Sequence, residues 1–182
     1  MTILKEKKLE FTFDDSWIVL KYDEQSDYLN KIKRLNSTKA VDFIGVFQGE
    51  NDEVDQYFIE VKDFTAYEIE NKKKKETLPL EVALKVRDTA AGLVGISKTT
   101  STPDKWNEHL QQLFKAESSL KVILFVKNLR HSGRPGRKQN HLQTIAKNIK
   151  ANLKWLTTKV SVVGELSDLE SIHIKVQNLP RG

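Results

Sequence analysis

The chain has no cysteine among its 182 residues, and only four prolines and eight glycines. Without thiols it can form neither disulfides nor thiolate zinc sites, and a reducing cytoplasm is the expected location. Aromatic residues make up 8% and apolar residues 38%, against 30% charged, the balance of a soluble globular chain on the polar side. Long hydrophobic runs are missing as well. The longest, Val122–Val126, is far too short to cross a bilayer. The opening residues M-T-I-L-K-E-K-K-L-E lack an apolar segment of signal-peptide length, so no membrane partner is expected. The length suits one domain, residues 1–182, with a sizeable core.

Acid is missing from one region. Between Ser118 and Gly164 there is no Asp or Glu, while ten Lys and Arg occur. The formal net charge is +5, so the remainder of the chain carries −5. A one-sided basic region is the electrostatic footprint of a polyanion binder. Arg130, Arg134, Arg137 and Lys138 lie in a loop broken by Gly133, Pro135 and Gly136, and are candidate phosphate contacts. Lys147, Lys150 and Lys154 form a stripe on the amphipathic helix that follows, predicted over 140–156 with Leu142, Ile145, Ile149, Leu153 and Leu156 as its apolar face. The alternative is a solvated basic loop and helix. Phosphate contacts give affinity without sequence choice, and no base-reading motif is present.

Recognisable motifs of other chemistries are absent. His109, His131, His141 and His173 have no metal-ligand spacing, and no phosphate-binding glycine loop, dinucleotide fingerprint or nucleophile elbow occurs. Trp17, Trp106 and Trp155 sit in apolar patterns and are expected in the core.

What is present is a patterned order of elements. Strands are predicted over 8–13 and 16–22, with Asp14-Asp15 as the turn between them. The spacing of Tyr28, Leu29, Ile32 and Leu35 predicts a helix over 26–35. A helix beginning near Pro79 buries Leu80, Ala83, Leu84, Ala90, Ala91 and Val94 and carries a polar stripe of Glu81, Lys85 and Asp88. It is followed by a loop over 97–101. A second helix starts at Thr102-Pro103, with Trp106, Leu110 and Leu113 as its stripe, and a strand buried on both faces covers 120–126. Strands over 160–163 and 172–176 close the chain. The order predicts an α/β fold with a mixed sheet flanked by helices.

Between the first helix and Pro79 lie two strand-like runs, A-V-D-F-I-G-V-F-Q and V-D-Q-Y-F-I-E-V-K, around the polar break Gly49–Glu53. Antiparallel strands pair symmetrically about their loop, here Asn51, which sets Asp42 opposite Glu60. Alternation puts Glu60 and Lys62 on one face and Val41, Phe43, Phe47, Tyr57, Ile59 and Val61 on the other. A slip of one residue would exchange the faces. Two carboxylates and an ammonium on one face can hold a hard divalent cation such as Mg²⁺ or Mn²⁺ and a water. In that scheme Asp42 and Glu60 are the ligands, the Val61 carbonyl adds a third, and Lys62 assists the attacking water. Lysine at its ordinary pKa is a poor base at neutral pH, so Lys62 is not assigned as the sole base.

These residues resemble the PD-(D/E)XK nuclease superfamily, through A-V-D42-F-I-G-V followed by F-I-E60-V-K62. Val41 stands where a proline often precedes the family's Asp. The resemblance implies a restriction-endonuclease-like core and metal-dependent hydrolysis of nucleic acid, with DNA favoured over RNA. It implies metal-binding roles for Asp42 and Glu60 and a catalytic role for Lys62. The family often adds an acid from a preceding helix, for which Asp23, Glu24 and Asp27 are candidates. It also often adds a polar residue from the following helix, for which Lys85 is chosen ahead of Glu81 and Asp88. The plain alternative for that stripe is a surface ion-pair ladder. Two other readings stand beside the nuclease: a non-cleaving nucleic-acid- or partner-binding module on the same fold, and a chance E-x-K on an exposed strand. A homodimer would let one domain cut both strands, although no sequence feature marks an interface.

Overall fold

The computed structural model describes residues 1–49, 53–64, 76–128 and 137–180, without the side chains of Arg137 and Lys138. Among the described residues eight strands and three α-helices follow one another as β1 (Thr2–Glu6), β2 (Leu9–Phe13), β3 (Trp17–Lys21), β4 (Phe43–Gln48), β5 (Val54–Asp63), α1 (Leu78–Thr99), α2 (Pro103–Phe114), β6 (Ser119–Lys127), α3 (Arg137–Leu153), β7 (Val160–Val163) and β8 (Ile174–Asn178). The fold is mixed α/β. A five-stranded sheet has the order β3-β4-β5-β6-β7, and a three-stranded sheet has the order β1-β2-β8. Pairing is antiparallel from β3 through β5 and parallel from β5 through β7. Parallel neighbours need long crossovers, which α1 with α2 and then α3 provide. Among the described residues no helix is long and apolar enough to cross a membrane.

Alternation in the central strands builds two cores. Phe58, Val122, Leu124 and Val126 face the helices and pack with Val82, Val86, Leu93, Trp106, Ile149 and Leu153. Phe43, Tyr57, Ile59, Val61, Ile123 and Phe125 face the small sheet and pack with Leu9, Phe11, Phe13, Ile174 and Val176. β6 is therefore buried on both faces, as its unbroken apolar run requires. Where Trp17 crosses β4, a Cβ on Gly45 would come within 2.7 Å of the indole, so a side chain there would displace the ring.

Several local expectations are corrected. β1 was not foreseen. The segment predicted as a helix over 26–35 is helical only over 26–32, where the Leu29 amide donates to the Gln25 carbonyl and a wide π-type turn over Tyr28–Ile32 is closed by the Lys33 amide donating to the Tyr28 carbonyl. Leu29 and Leu35 are exposed. α1 runs through Thr99, into residues expected to be loop, and its buried face is Val82, Ala83, Val86, Thr89, Gly92, Leu93 and Ile96. Leu80, Ala91 and Val94 point to solvent instead. α3 begins at Arg137, so Arg137 and Lys138 belong to its first turn rather than to the basic loop. Trp155 is 62% exposed, unlike the buried Trp17 and Trp106. Val41 joins the helix-side core, not the face of Phe43, because it precedes β4 and its amide donates to Thr89 of α1. The closing strand begins at Ile174, after a 3-10 segment over Leu166–Ile172.

Candidate functional site

The site forms at the ends of β5 and β6 where the chain leaves the parallel pair, a usual place for ligands in open α/β sheets. Phe43 pairs with Ile59 and Gln48 with Val54, so the register continues to set Asp42 beside Glu60. Asp42 is fixed by its own backbone and by its neighbours. Its carbonyl accepts the Tyr22 amide at 2.9 Å, and its Oδ2 accepts the Val61 amide at 2.6 Å. Val61 thus meets Asp42 through its amide, a contact separate from the ligand role expected of its carbonyl.

Glu60 lies on the helix-facing side of β5 and is 1% exposed. Lys85 reaches it from α1, with Nζ 2.7 Å from Oε1 and 2.8 Å from Oε2, and also lies 3.8 Å from Asp42 Oδ1. Lys62 Nζ sits 3.1 Å from Glu60 Oε1 and 2.7 Å from Glu81 Oε1. Glu81 and Lys85 are one helical turn apart on α1, so they share the face that covers the sheet edge. The polar stripe is therefore turned to the site at its first two members. Asp88 is equally covered but meets other partners, accepting the Lys39 amide at 3.0 Å and pairing with Arg87.

Of the three acids proposed to precede the hairpin, the structure brings Asp23 to Asp42. It also brings Glu6, which the sequence reading missed. One carboxyl oxygen from each of Glu6, Asp23 and Asp42 lies within 4.8 Å of the other two. Glu24 is largely exposed and pairs with Lys21 at 2.7 Å. Asp27 serves the scaffold, accepting Trp106 Nε1 at 2.9 Å, Thr100 Oγ1 at 3.1 Å and Lys31 Nζ at 2.6 Å. No local signal marks Glu6. It sits on the small sheet, and only the packing of that sheet delivers it.

The electrostatics follow from this crowding. Burial, then the charge of Glu60, pushes the Asp42 carboxyl up to about 8, against the pull of Lys85. Burial, then Glu6, pushes Asp23 up to about 6. Burial works to lower Lys62, but the carboxylates of Glu60 and Glu81 outweigh it and hold the ammonium above its ordinary range. Two ionised carboxylates within 4.8 Å of each other repel by roughly 3 kcal/mol or more at an effective dielectric of about 20, which Lys21 beside Glu6 and Lys85 beside Asp42 offset in part. That repulsion is relieved by a proton or by a cation.

The residues fit a hard divalent ion. All donors are oxygens, and Asp23 Oδ1 is buried without a hydrogen-bond partner. Glu60 and Glu6 are both met by lysines: Lys85 hydrogen-bonds Glu60 Oε2 and ion-pairs with Oε1, and Lys21 and Lys7 lie 3.1 Å and 3.5 Å from the two oxygens of Glu6. Of the candidate nucleic-acid contacts, Lys147 and Lys150 are exposed on α3, and Lys154 is exposed in the turn just after it, since the helix ends at Leu153 and not at 156 as expected. Arg130 and Arg134 lie outside the described residues, as do the side chains of Arg137 and Lys138. No protein-family model, curated protein or solved structure matches the chain.

Proposed function

We propose that the protein is a metal-dependent nuclease of the PD-(D/E)XK type, hydrolysing phosphodiester bonds in DNA rather than RNA. The observation that carries this reading is the meeting of Asp42, Glu60, Lys62 and Lys85 at one end of β5, with Glu6 and Asp23 alongside Asp42. The mixed sheet with helices on one face supports a restriction-endonuclease-like core. Asp42, Asp23 and Glu6 would hold Mg²⁺ or Mn²⁺, with Glu60 adjoining. Such an ion, when bound, makes water a better nucleophile and screens phosphate charge.

The chain's own residues have distinct tasks. Lys62 keeps its proton, so it acts as a donor and not as a base. Glu60 and Glu81 aim its ammonium, which can hydrogen-bond the attacking water or the oxygen on which charge grows. Lys85 is a positioning residue that hydrogen-bonds Glu60 Oε2 and ion-pairs with Oε1. The exposed lysines of α3 supply affinity for the phosphate backbone.

A second reading is favoured by one observation. Both Glu60 oxygens already lie on lysines, so part of the constellation is neutralised internally. A binding module that does not cleave would keep that arrangement.

The test is incubation of wild type and Lys62→Ala with linear, circular and single-stranded DNA in Mg²⁺ and in Mn²⁺. The nuclease reading expects metal-dependent cleavage by wild type and a loss of about a hundredfold or more in the variant, with DNA binding kept. Salt-sensitive binding without cleavage in either protein would transfer the assignment to the binding module.

A further inference from the structure

A cavity of about 440 Å³ opens beside Lys62, between the first turn of α1 and the first half of α3. No sequence pattern marks it, because α3 supplies one wall and the end of β5 with the start of α1 the other, sixty or more residues earlier in the chain. Phe64, Leu78, Pro79 and Ile145 make its interior apolar. Thr144 and Asn148, one helical turn apart on α3, put hydroxyl and amide groups along one side, with His141 beside them. Lys62 and Glu81 form the end that it shares with the carboxylate site.

We propose that this cavity takes the base of the nucleotide adjoining the phosphate under attack, so that the substrate is single-stranded or locally unpaired DNA. The proposal rests on the nuclease reading and names its substrate. The volume lies within the usual range of small-molecule sites. An apolar slot with hydrogen-bonding groups on one side matches a base, which has two apolar faces and a polar edge. A free phosphate would gain nothing from Phe64 or Ile145. The two acids on the lining do not oppose a nucleotide as bare charges, since Glu81 is held by Lys62 and Glu76 by Lys39. In an intact duplex the base is stacked on both faces and paired at its edge, so it enters only after leaving the stack.

The experiment uses the whole chain with Ca²⁺, to populate the site without turnover. Probes are deoxyadenosine 5′-monophosphate and 2-deoxyribose 5-phosphate, which share the sugar and phosphate and differ by the base. Thr144→Trp fills the cavity from an exposed position, and Asn148→Ala removes an edge partner. A thermal melt of each variant verifies its fold. The nucleotide should bind about tenfold or more tighter than the sugar phosphate, and Thr144→Trp should abolish that difference. Asn148→Ala should reduce it. Wild type should also cleave single strands faster than duplex, with Thr144→Trp losing that preference.

Equal binding of the two probes overturns the proposal, as does a base preference that survives Thr144→Trp. The two readings fail separately. Base-dependent binding lost in Thr144→Trp, with no cleavage of any DNA by wild type, keeps the cavity as a nucleobase site and sinks the nuclease. Cleavage of single strands at the same rate by wild type and Thr144→Trp keeps the nuclease and sinks the cavity.

Discussion

Asp42 accepts a backbone amide through one oxygen, faces Glu60, and lies within 4.8 Å of carboxyl oxygens from Glu6 and Asp23. Ionising it therefore costs the folded state something that the unfolded chain does not bear. A carboxyl whose folded value is raised binds its proton more tightly when folded. Its stabilising contribution is complete below the unfolded value near 3.8 and is lost as pH rises through about 8. In a chelator, wild type should lose more stability than Asp42→Asn between about pH 5 and about pH 9. The variant should melt a few degrees higher at the upper end, since 1 kcal/mol moves the midpoint of a chain this size by about 2–4 °C. Mg²⁺ should raise the wild-type midpoint and leave the variant where it is. Parallel melting curves across pH would remove the burden assigned to Asp42. The pairing of Asp42 with Glu60 was legible in the sequence because it depends only on symmetry about a short turn. Glu6 was not, because its approach depends on one sheet packing against another, and no local pattern encodes that.

Helix α1 shows how a pattern can be read nearly right and still place the wrong residues inside. Its apolar positions are dense enough to fit two stripes, and the buried one contains Thr89 and Gly92, which an apolar count overlooks. Thr89 is inside because it accepts the Val41 amide, and Gly92 because the Tyr22 hydroxyl lies against it. The same rotation that buries these residues carries Glu81 and Lys85 to the sheet edge. Gly92→Ala tests this directly. Alanine is favoured over glycine in a helix by about 1 kcal/mol, whereas overpacking costs roughly 1–3 kcal/mol. A net loss of stability therefore reports the Tyr22 contact. Tyr22→Phe should recover part of that loss in the double variant and cost little alone, because the buried hydroxyl has no partner. A stabilised Gly92→Ala would contradict the packing described. Tyr22 adjoins Asp23 in the chain, so Gly92→Ala should also weaken the response to Mg²⁺.

Across the fold, the helices cover one face of the central sheet and the small sheet covers the other, with the ionisable site at one end. The acid-free region, conspicuous in the sequence, is divided by the fold. Lys121, Lys127 and Lys159 are engaged by Asp55, Asn178 and Ser119. Lys147 and Lys150 remain exposed on α3, and Lys154 in the turn after it. Changing these three to glutamine should flatten the salt dependence of DNA binding by about 0.7 in log–log slope for each contact to a single strand, or about 0.9 for duplex. An unchanged slope would remove α3 from the binding surface. The layers themselves were only partly legible. The unbroken apolar run of β6 reveals that both of its faces are covered, but not that the second cover is a sheet closed by β8.

That closure links distant parts of the chain. Leu9 of β2 pairs with Asn178 of β8 and also with Glu6 of β1, so the carboxylate nearest the start rests on a sheet completed by residues near the finish. A two-stranded hairpin is marginal alone. During synthesis, Asp23, Asp42 and Glu60 emerge long before β8, while Glu6 waits for a third strand to steady its own. On the proposed function, a chain cut short before β8 would leave Glu6 on an incomplete sheet, and it should respond less to Mg²⁺ than the full chain.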